Sequence, residues 1–444
     1  MADVAQLLIG TIRWDPVRGY DAERASIDRA IGLGAGGFLI HGGTDMAVRA
    51  LTADLQRRSS MPLLIGAGLE RGAGQQFAGA TGLPPLAAIA TLGDADAIRR
   101  AARLTAREAR SLGINWCLAP ACDGDVADAS AVAAEWIDAC QAEGVLACAK
   151  CASARAGEPS RTQLELPITA VGTEESARAE LAPFIAASDA GVACVMPARL
   201  DANVSRLLRA ELGFDGLIVA RAPATRDDAT GSAAVAALGA GCDLCFGAPD
   251  LAAAVRAIET AVSDGVLDAE SLRSSRARRA RWAAWSSPAV VSRDASSDRN
   301  DGDWSRALAE RCVSVSRGAI GRVTSPVDVI VVDDGAAAGA ATLGAAFIAE
   351  LRDEGFDATR ADVPSRDGRR STVIALFGGA RDGYSAETRR AVAQARAFAR
   401  DAVVVQFAPP GVAAESPKAT AIVSAWSGDD VMQRAAARRL VKGA

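Results

Sequence analysis

The amino-acid sequence predicts an α/β protein. It divides into an N-terminal (β/α)8 TIM-type barrel over residues 1–285, a linker and connecting helix over 286–324, and a smaller α/β layer domain over 325–444. Three observations carry this. From residue 1 to about 285, short apolar or β-branched runs alternate with longer helical patterns, the signature of repeated βα units and a parallel sheet. Eight such runs occur, the number that closes a barrel. The stretch SSPAVVSRDASSDRNDGD (286–303) is then poor in apolar residues, and beyond it VDVIVVDD, STVIALFGG, AVVVQFAP and ATAIVSAW alternate with helices as an open layer would.

The predicted barrel strands are 7–12, 37–40, 62–67, 114–118, 144–150, 192–196, 216–220 and 242–246. Helices are predicted over 21–33, 45–57, 94–112, 130–142, 174–190, 232–238, 252–263 and 269–285. Asp94 suits an N-cap, because its carboxylate can accept from a first-turn N–H that has no helical partner, and Gly113 suits the stop. Ser130 and Ser232 are read as N-caps on the same ground. After the linker, helices are expected at 304–316, 343–354, 385–400 and 431–440. The stretch 144–167 stands out: an apolar strand delivers Lys150 into an arginine-bearing loop with no His and no acid before Leu164 except Glu158. In a barrel, the loops after the strands are where ligand chemistry is placed.

Composition narrows the function. Half of the residues are apolar but only 4% are aromatic, which indicates an Ala/Val/Leu-packed interior. A net charge of -5, with arginines and acids interspersed, leaves no electrostatic footprint for nucleic acid. No uncharged apolar run approaches the roughly 18 residues of a membrane span. The segment MADVAQLLIGTIRW has no basic region followed by a long apolar run, so no secretory signal and a cytoplasmic location are expected. Nine cysteines scattered through apolar strands fit a reducing compartment better than a disulfide framework.

The strings PLLIGAGLERGAGQQFAGATGLPPLAAI (62–89) and LTAREARSLGINWCLAPACD (104–123) resemble the barrel domain of glycoside hydrolase family 3, in its β-N-acetylglucosaminidase branch. GVLACAK, LELPI, ELAPF, GVACVM, ELGFDGLIV and ALGAGCDL carry the resemblance to about residue 250. VVVQFAPP and AWSGDDVMQRAAARRL resemble the second domain of longer members. The resemblance implies a glycosidase, yet the chain departs from the pattern at most reacting positions. Members carry K-H-F-P-G-H-G-D followed by D-S-H, whose His is the general acid/base, assisted by the Asp before it. Aligned from Lys150 without a gap, the acid/base position is Gln163 and its helper Arg161, while earlier His positions fall on Cys151 and Arg155. The nucleophile, the Asp of G-F-D-G-L-x-V-T-D, falls on Arg221. The Asp of D-x-E-x-G falls on Gly68, leaving Glu70; VMPAR puts Arg199 where a His is common; and the loop with an R-S-F-G run is missing after Asp123. A guanidinium has no lone pair to attack with and an amide cannot shuttle a proton, so the ordinary double displacement is closed.

Several residues carry two readings. His41, the only histidine, could have taken over acid/base duty at a strand end, or be a polar rim residue. Cys148-x-x-Cys151 and Cys242-x-x-Cys245 imitate a zinc pattern, but side chains three apart on a strand diverge, which favours buried thiols and no metal. GAAAGAATLG (335–344) lacks dinucleotide-loop spacing, and no cofactor is expected. Arg155, Arg161, Arg199 and Arg221, with Lys150, form either a pocket rebuilt for an anion or the drift of an arginine-rich chain. The leading expectation is a catalytically degenerate homologue that binds a sugar or anionic sugar in the barrel mouth through Lys150, Arg155 and Arg221. The alternatives are a β-N-acetylhexosaminidase with relocated groups, drawn from Glu70, Asp123, Glu158 and His41, and an interaction subunit of an active paralogue.

Overall fold

The computed structural model describes residues 4–122, 129–150, 184–197, 202–221, 230–286, 295–321, 323–335, 343–365, 369–378, 384–399, 401–415 and 421–443. They form two compact units: Met1–Thr81 with Ala95–Ala295, and Gly82–Asp94 with Ser296–Ala444.

The first unit is a closed eight-stranded parallel barrel in sequential order. Its strands are β1 (Leu8–Arg13), β2 (Gly37–His41), β3 (Leu64–Ala67), β4 (Trp116–Cys117), β5 (Leu146–Lys150), β6 (Cys194–Met196), β7 (Leu217–Arg221) and β8 (Leu244–Phe246). Around them lie α1 (Arg24–Leu33), α2 (Asp45–Arg58), α3 (Ala95–Ser111), α4 (Ala129–Ala142), α5 (Ile185–Asp189), α6 (Ala202–Ala210), α7 (Ser232–Gly239), α8 (Leu251–Ser263) and α9 (Ala269–Trp285). Each predicted barrel strand is present within two residues at either end. Alternate side chains face inward, so Ile9, Leu39, Leu64, Trp116, Cys148 and Val219 pack as one core with partners from all eight strands.

The N-terminal end of this barrel is closed by α9. Trp282 and Ala283 join the interior cluster, and the guanidinium of Arg279, 1% exposed, donates to Gly36 O at 2.7 Å. Burial lowers the Arg279 pKa to about 10. Beside it, the fully buried Asp243 accepts from Arg209 at 2.5 Å, Arg278 at 2.7 Å, Ser275 at 2.8 Å and the Ile218 N–H at 2.7 Å.

Three local expectations change. Helix α4 begins at Ala129, so Ser130 lies inside it. Helix α7 is preceded by Gly231 at φ 79°, where an added Cβ would lie 2.5 Å from Ala254 Cα. That close approach to α8 selects glycine over a serine cap. The helix expected at 304–316 is instead Ala295–Cys312 (α10), followed by a strand, Ser314–Arg317 (β9). Its polar start hid it: Asp301 and Ser305 occupy its buried stripe with Leu308 and Cys312. Ser305 Oγ donates to Gly82 O at 2.6 Å, which satisfies the buried hydroxyl.

The second unit carries a six-stranded sheet of order β11-β10-β12-β13-β14-β9, parallel except for β9. These strands are β10 (Val327–Asp334), β11 (Ala358–Arg360), β12 (Ser371–Gly378), β13 (Val403–Phe407) and β14 (Ala421–Ser424). The helices α11 (Ala345–Asp353) and α13 (Asp430–Lys442) lie together, joined by Glu350, which accepts from Arg434 at 2.7 Å and Arg438 at 2.6 Å. A further helix, α12 (Ala386–Phe398), covers the face bearing Ile330, Ile374 and Val404. No helix among the described residues is long and apolar enough to cross a membrane.

Candidate functional site at the barrel mouth

Strand alternation decides which residues reach the mouth. Counting in twos from the interior core, the inward positions at the C-terminal strand ends are Arg13, His41, Lys150, Met196, Arg221 and Phe246. Gly68 and Leu118 take the corresponding places just past β3 and β4. In register, Arg13 is level with His41, Lys150 with Met196, and Arg221 with Phe246. Lys150 and Arg221 therefore share the end of the barrel where the sequence places them. The inward set of described strand ends holds three permanent or near-permanent cations and no carboxylate.

Among the described residues, an acid that reaches this set comes from the loop after β3. Glu70 Oε1 lies 3.0 Å from Lys150 Nζ, and the Lys150 side chain is 9% exposed against 32% for Glu70. An ammonium this buried needs a counter-ion, because its lost hydration is otherwise uncompensated. Lys150 is thus neutralised in place, and Glu70 is already committed to it. At Gly68, among the described residues, an added Cβ would meet only Gln76 Nε2, at 4.0 Å.

His41 sits across the mouth on β2. Its backbone is held by a cradle: the His41 carbonyl accepts from Trp14 N at 2.9 Å, and Tyr20 Oη donates to the next carbonyl, Gly42 O. Gly43, at φ 125°, passes so close to Tyr20 that a Cβ there would lie 2.3 Å from its hydroxyl. Burial, and then the charges of Arg13 and Arg221, push the His41 pKa down to about 4. The ring is neutral at ordinary pH: it can donate one hydrogen bond and accept one, but lacks the acidic imidazolium proton that a general acid would give a leaving group.

Arg13 is a member of this site not among the residues expected from sequence, because the first predicted strand ends at Ile12. The alternation Ile9, Thr11, Arg13 was the available signal. Of the residues expected at the mouth, Glu70, His41, Lys150 and Arg221 are described, and all four gather at the strand C-termini. Asp123, Arg155, Glu158, Arg161, Gln163 and Arg199 lie outside the described residues. Cys148, Cys242 and Cys245 are buried free thiols, and Cys151 is outside the described residues. Among the described residues, no group of three or more His, Cys, Asp or Glu is placed to hold a metal ion.

The model for the glycosyl hydrolase family 3 N terminal domain matches residues 31–281. The chain belongs to glycoside hydrolase family 3. Among its relatives, a β-N-acetylglucosaminidase/β-glucosidase of Cellulomonas fimi is 30% identical over 285 residues, 54% of this chain and 50% of that protein. A β-hexosaminidase of Thiobacillus denitrificans is 27% identical over 236 residues, 44% of this chain and 66% of that protein. This family 3 chain thus spans half to two-thirds of the curated relatives it matches. Its fold follows that of a family 3 β-N-acetylglucosaminidase from Paenibacillus sp. strain FPU-7, at 21% identity and TM-score 0.78, covering 99% of this chain and 97% of that one.

Proposed function

We propose that this family 3 chain binds a sugar bearing an anionic group at its barrel mouth and does not hydrolyse it. The observation that carries the reading is the charge of the inward strand ends. Arg13 and Arg221 act on a neutral His41 through their charges, and Lys150 is paired with Glu70. Hydrolysis with retention needs one group to attack the anomeric carbon and another to protonate the leaving oxygen. The resemblance puts Arg221 and Gln163 in those roles, and Glu70 could attack only by abandoning a buried ammonium. Guanidinium groups instead offer forked donors that match a carboxylate or phosphate. The hydroxylated ring belongs over the Glu70–Lys150 pair, since the relatives' names attach the scaffold to N-acetylglucosaminides and glucosides.

Two measurements test this. With 4-nitrophenyl N-acetyl-β-glucosaminide or 4-nitrophenyl β-glucoside, turnover should not exceed a buffer blank from mildly acidic to mildly basic pH. In thermal melts, glucosamine 6-phosphate or N-acetylmuramic acid should stabilise the protein more than N-acetylglucosamine at equal ionic strength. A ligand at about 100 times its Kd stabilises the native state by roughly 2.7 kcal/mol, enough to resolve. Arg221→Ala should shrink the difference between anionic and neutral sugars. Turnover that disappears in Glu70→Gln or Asp123→Asn would overturn the reading in favour of a glycosidase with relocated groups.

A further inference from the structure

The barrel interior holds a pairing of thiols that the sequence spacing does not show. Cys148 stands three residues from Cys151 in a zinc-like pattern, yet the cysteine level with it in the sheet is Cys194. The two are register partners on β5 and β6, both are buried, and both belong to the interior cluster. Neighbouring strands run about 4.8 Å apart, so two cysteines level with each other and turned to the same side bring their thiols face to face. The Cys194 thiol is accordingly pushed well up in pKa, first by burial and then by the neighbouring Cys148 thiol.

A third sulfur lies on the same face. Met196 follows Cys194 by two positions on β6, the spacing that puts side chains on one side of a strand. It packs against the interior cluster and stays partly exposed at the mouth, level with Lys150. Two thiols and a thioether therefore lead from the mouth into the core. Around them the interior cluster supplies Trp116 from β4, Leu146 from β5 and Leu217 from β7. Sulfur and hydrocarbon give a hard cation little in exchange for its water, whereas a soft ion is held well by thiolate and thioether. Among the described residues no three of His, Cys, Asp and Glu are placed to share a metal ion, which argues against tetrahedral zinc and leaves a low-coordinate ion completed by methionine.

We propose that Cys148, Cys194 and Met196 form a binding site for a soft monovalent metal ion, Cu(I), entered from the barrel mouth. On binding, each thiol releases its proton to solvent and copper bonds to both sulfurs, with the Met196 thioether as third ligand. No electron is transferred. One positive ion takes the place of two protons, so the site gains a single negative charge. The thioether at the mouth is the first sulfur an entering ion meets, and the thiols behind it hold the ion away from water.

The test uses the full chain, reduced and anaerobic, with Cu(I) delivered as its bicinchoninate complex. The chain should withdraw one equivalent of copper from the chelator, with X-ray absorption showing sulfur donors. Cys148→Ala and Cys194→Ala should each weaken that first equivalent at least about a hundredfold, and Met196→Leu, which keeps the volume, about tenfold. The chain has nine cysteines, so a second thiol pair serves as control. Cys140 on α4 is buried beside Cys117 of β4, on the outer side of the barrel wall, and the double variant Cys117→Ala, Cys140→Ala should keep the first equivalent. Ag(I), a redox-inert stand-in, should raise the melting temperature of the wild-type chain and of this control, and Zn(II) should not. A first equivalent that survives both Cys148→Ala and Cys194→Ala, or one lost only in the control, would overturn the proposal. So would Zn(II) stabilising the chain as much as Ag(I). Met196→Leu keeps the test open if the core alanine variants fail to fold, since unchanged Cu(I) affinity in that variant would also overturn it.

Discussion

His41 shows how a single side chain reports its surroundings. Its folded pKa of about 4 lies below the unfolded value near 6.5, so between those two pH values the unfolded chain binds the proton and the native chain does not. Stability is therefore unaffected above about pH 6.5 and is lost as pH falls toward 4. Allowing for residual solvent contact, the loss between pH 7 and 5 should be on the order of 1–2 kcal/mol. Urea denaturation at the two pH values measures it, and His41→Gln should remove that component. An anion bound between Arg13 and Arg221 would offset their charge and raise the His41 pKa, so its binding should take up protons near pH 5. Glu70 is the complementary case. Glu70→Ala leaves Lys150 buried without its counter-ion and should cost on the order of 1–3 kcal/mol, less than a fully buried pair because Glu70 is a third exposed. Gly68→Asp, whose Cβ would meet no described atom closer than Gln76 Nε2 at 4.0 Å, should leave the melting temperature within a degree or two.

At the scale of elements, the two ends of the barrel divide their work. The C-terminal ends present the cations, while α9 and the start of β8 hold the opposite end together through Arg279 and the Asp243 network. Removing the charge of Asp243 leaves Arg209 and Arg278 facing one another around a buried amide. Asp243→Asn should destabilise the chain by on the order of 3 kcal/mol, read as a lower urea midpoint. It should do so without changing the preference for anionic over neutral sugars, since it acts at the end remote from the mouth. The elements also differ in how openly the sequence shows them. The eight barrel strands are legible because each is a compact apolar run. The helix α10 is legible only in its second half, predicted as 304–316, because the buried stripe of its earlier turns includes polar residues such as Asp301.

For the whole molecule, the division into units is not a division of the chain at one point. Gly82–Asp94 clusters with the second unit, through contacts such as Ser305 Oγ to Gly82 O and Arg311 to Asp94 Oδ2 at 2.9 Å. A fragment ending at residue 295 would retain that stretch without these partners. Limited proteolysis should then cut within 82–94 in the fragment at protease levels that leave the full chain intact there; equal resistance would show that the stretch is held by the barrel alone. A scaffold assembled this way can lose reacting groups from its strand ends without losing its core, because the interior layers and the mouth draw on different positions of the same strands.

The fold was present in the chain as a pattern: eight apolar runs separated by helices, a polar break, then a second set of strands. Such patterns are local, since burial of alternate residues and helix periodicity repeat within a dozen positions. That Arg221 and Gln163 fall where family members carry a nucleophile and an acid is an expectation that rests only on resemblance to family motifs. Three things depended on folding. The pairing of Glu70 with Lys150 joins residues eighty positions apart across two strands. The neutral state of His41 arises from burial and from Arg13 and Arg221, which lie on β1 and β7. The meeting of Cys148 with Cys194 follows from the parallel register of β5 and β6. Charge and desolvation act through space, so their sum at a site exists only once distant strand ends are brought to one mouth.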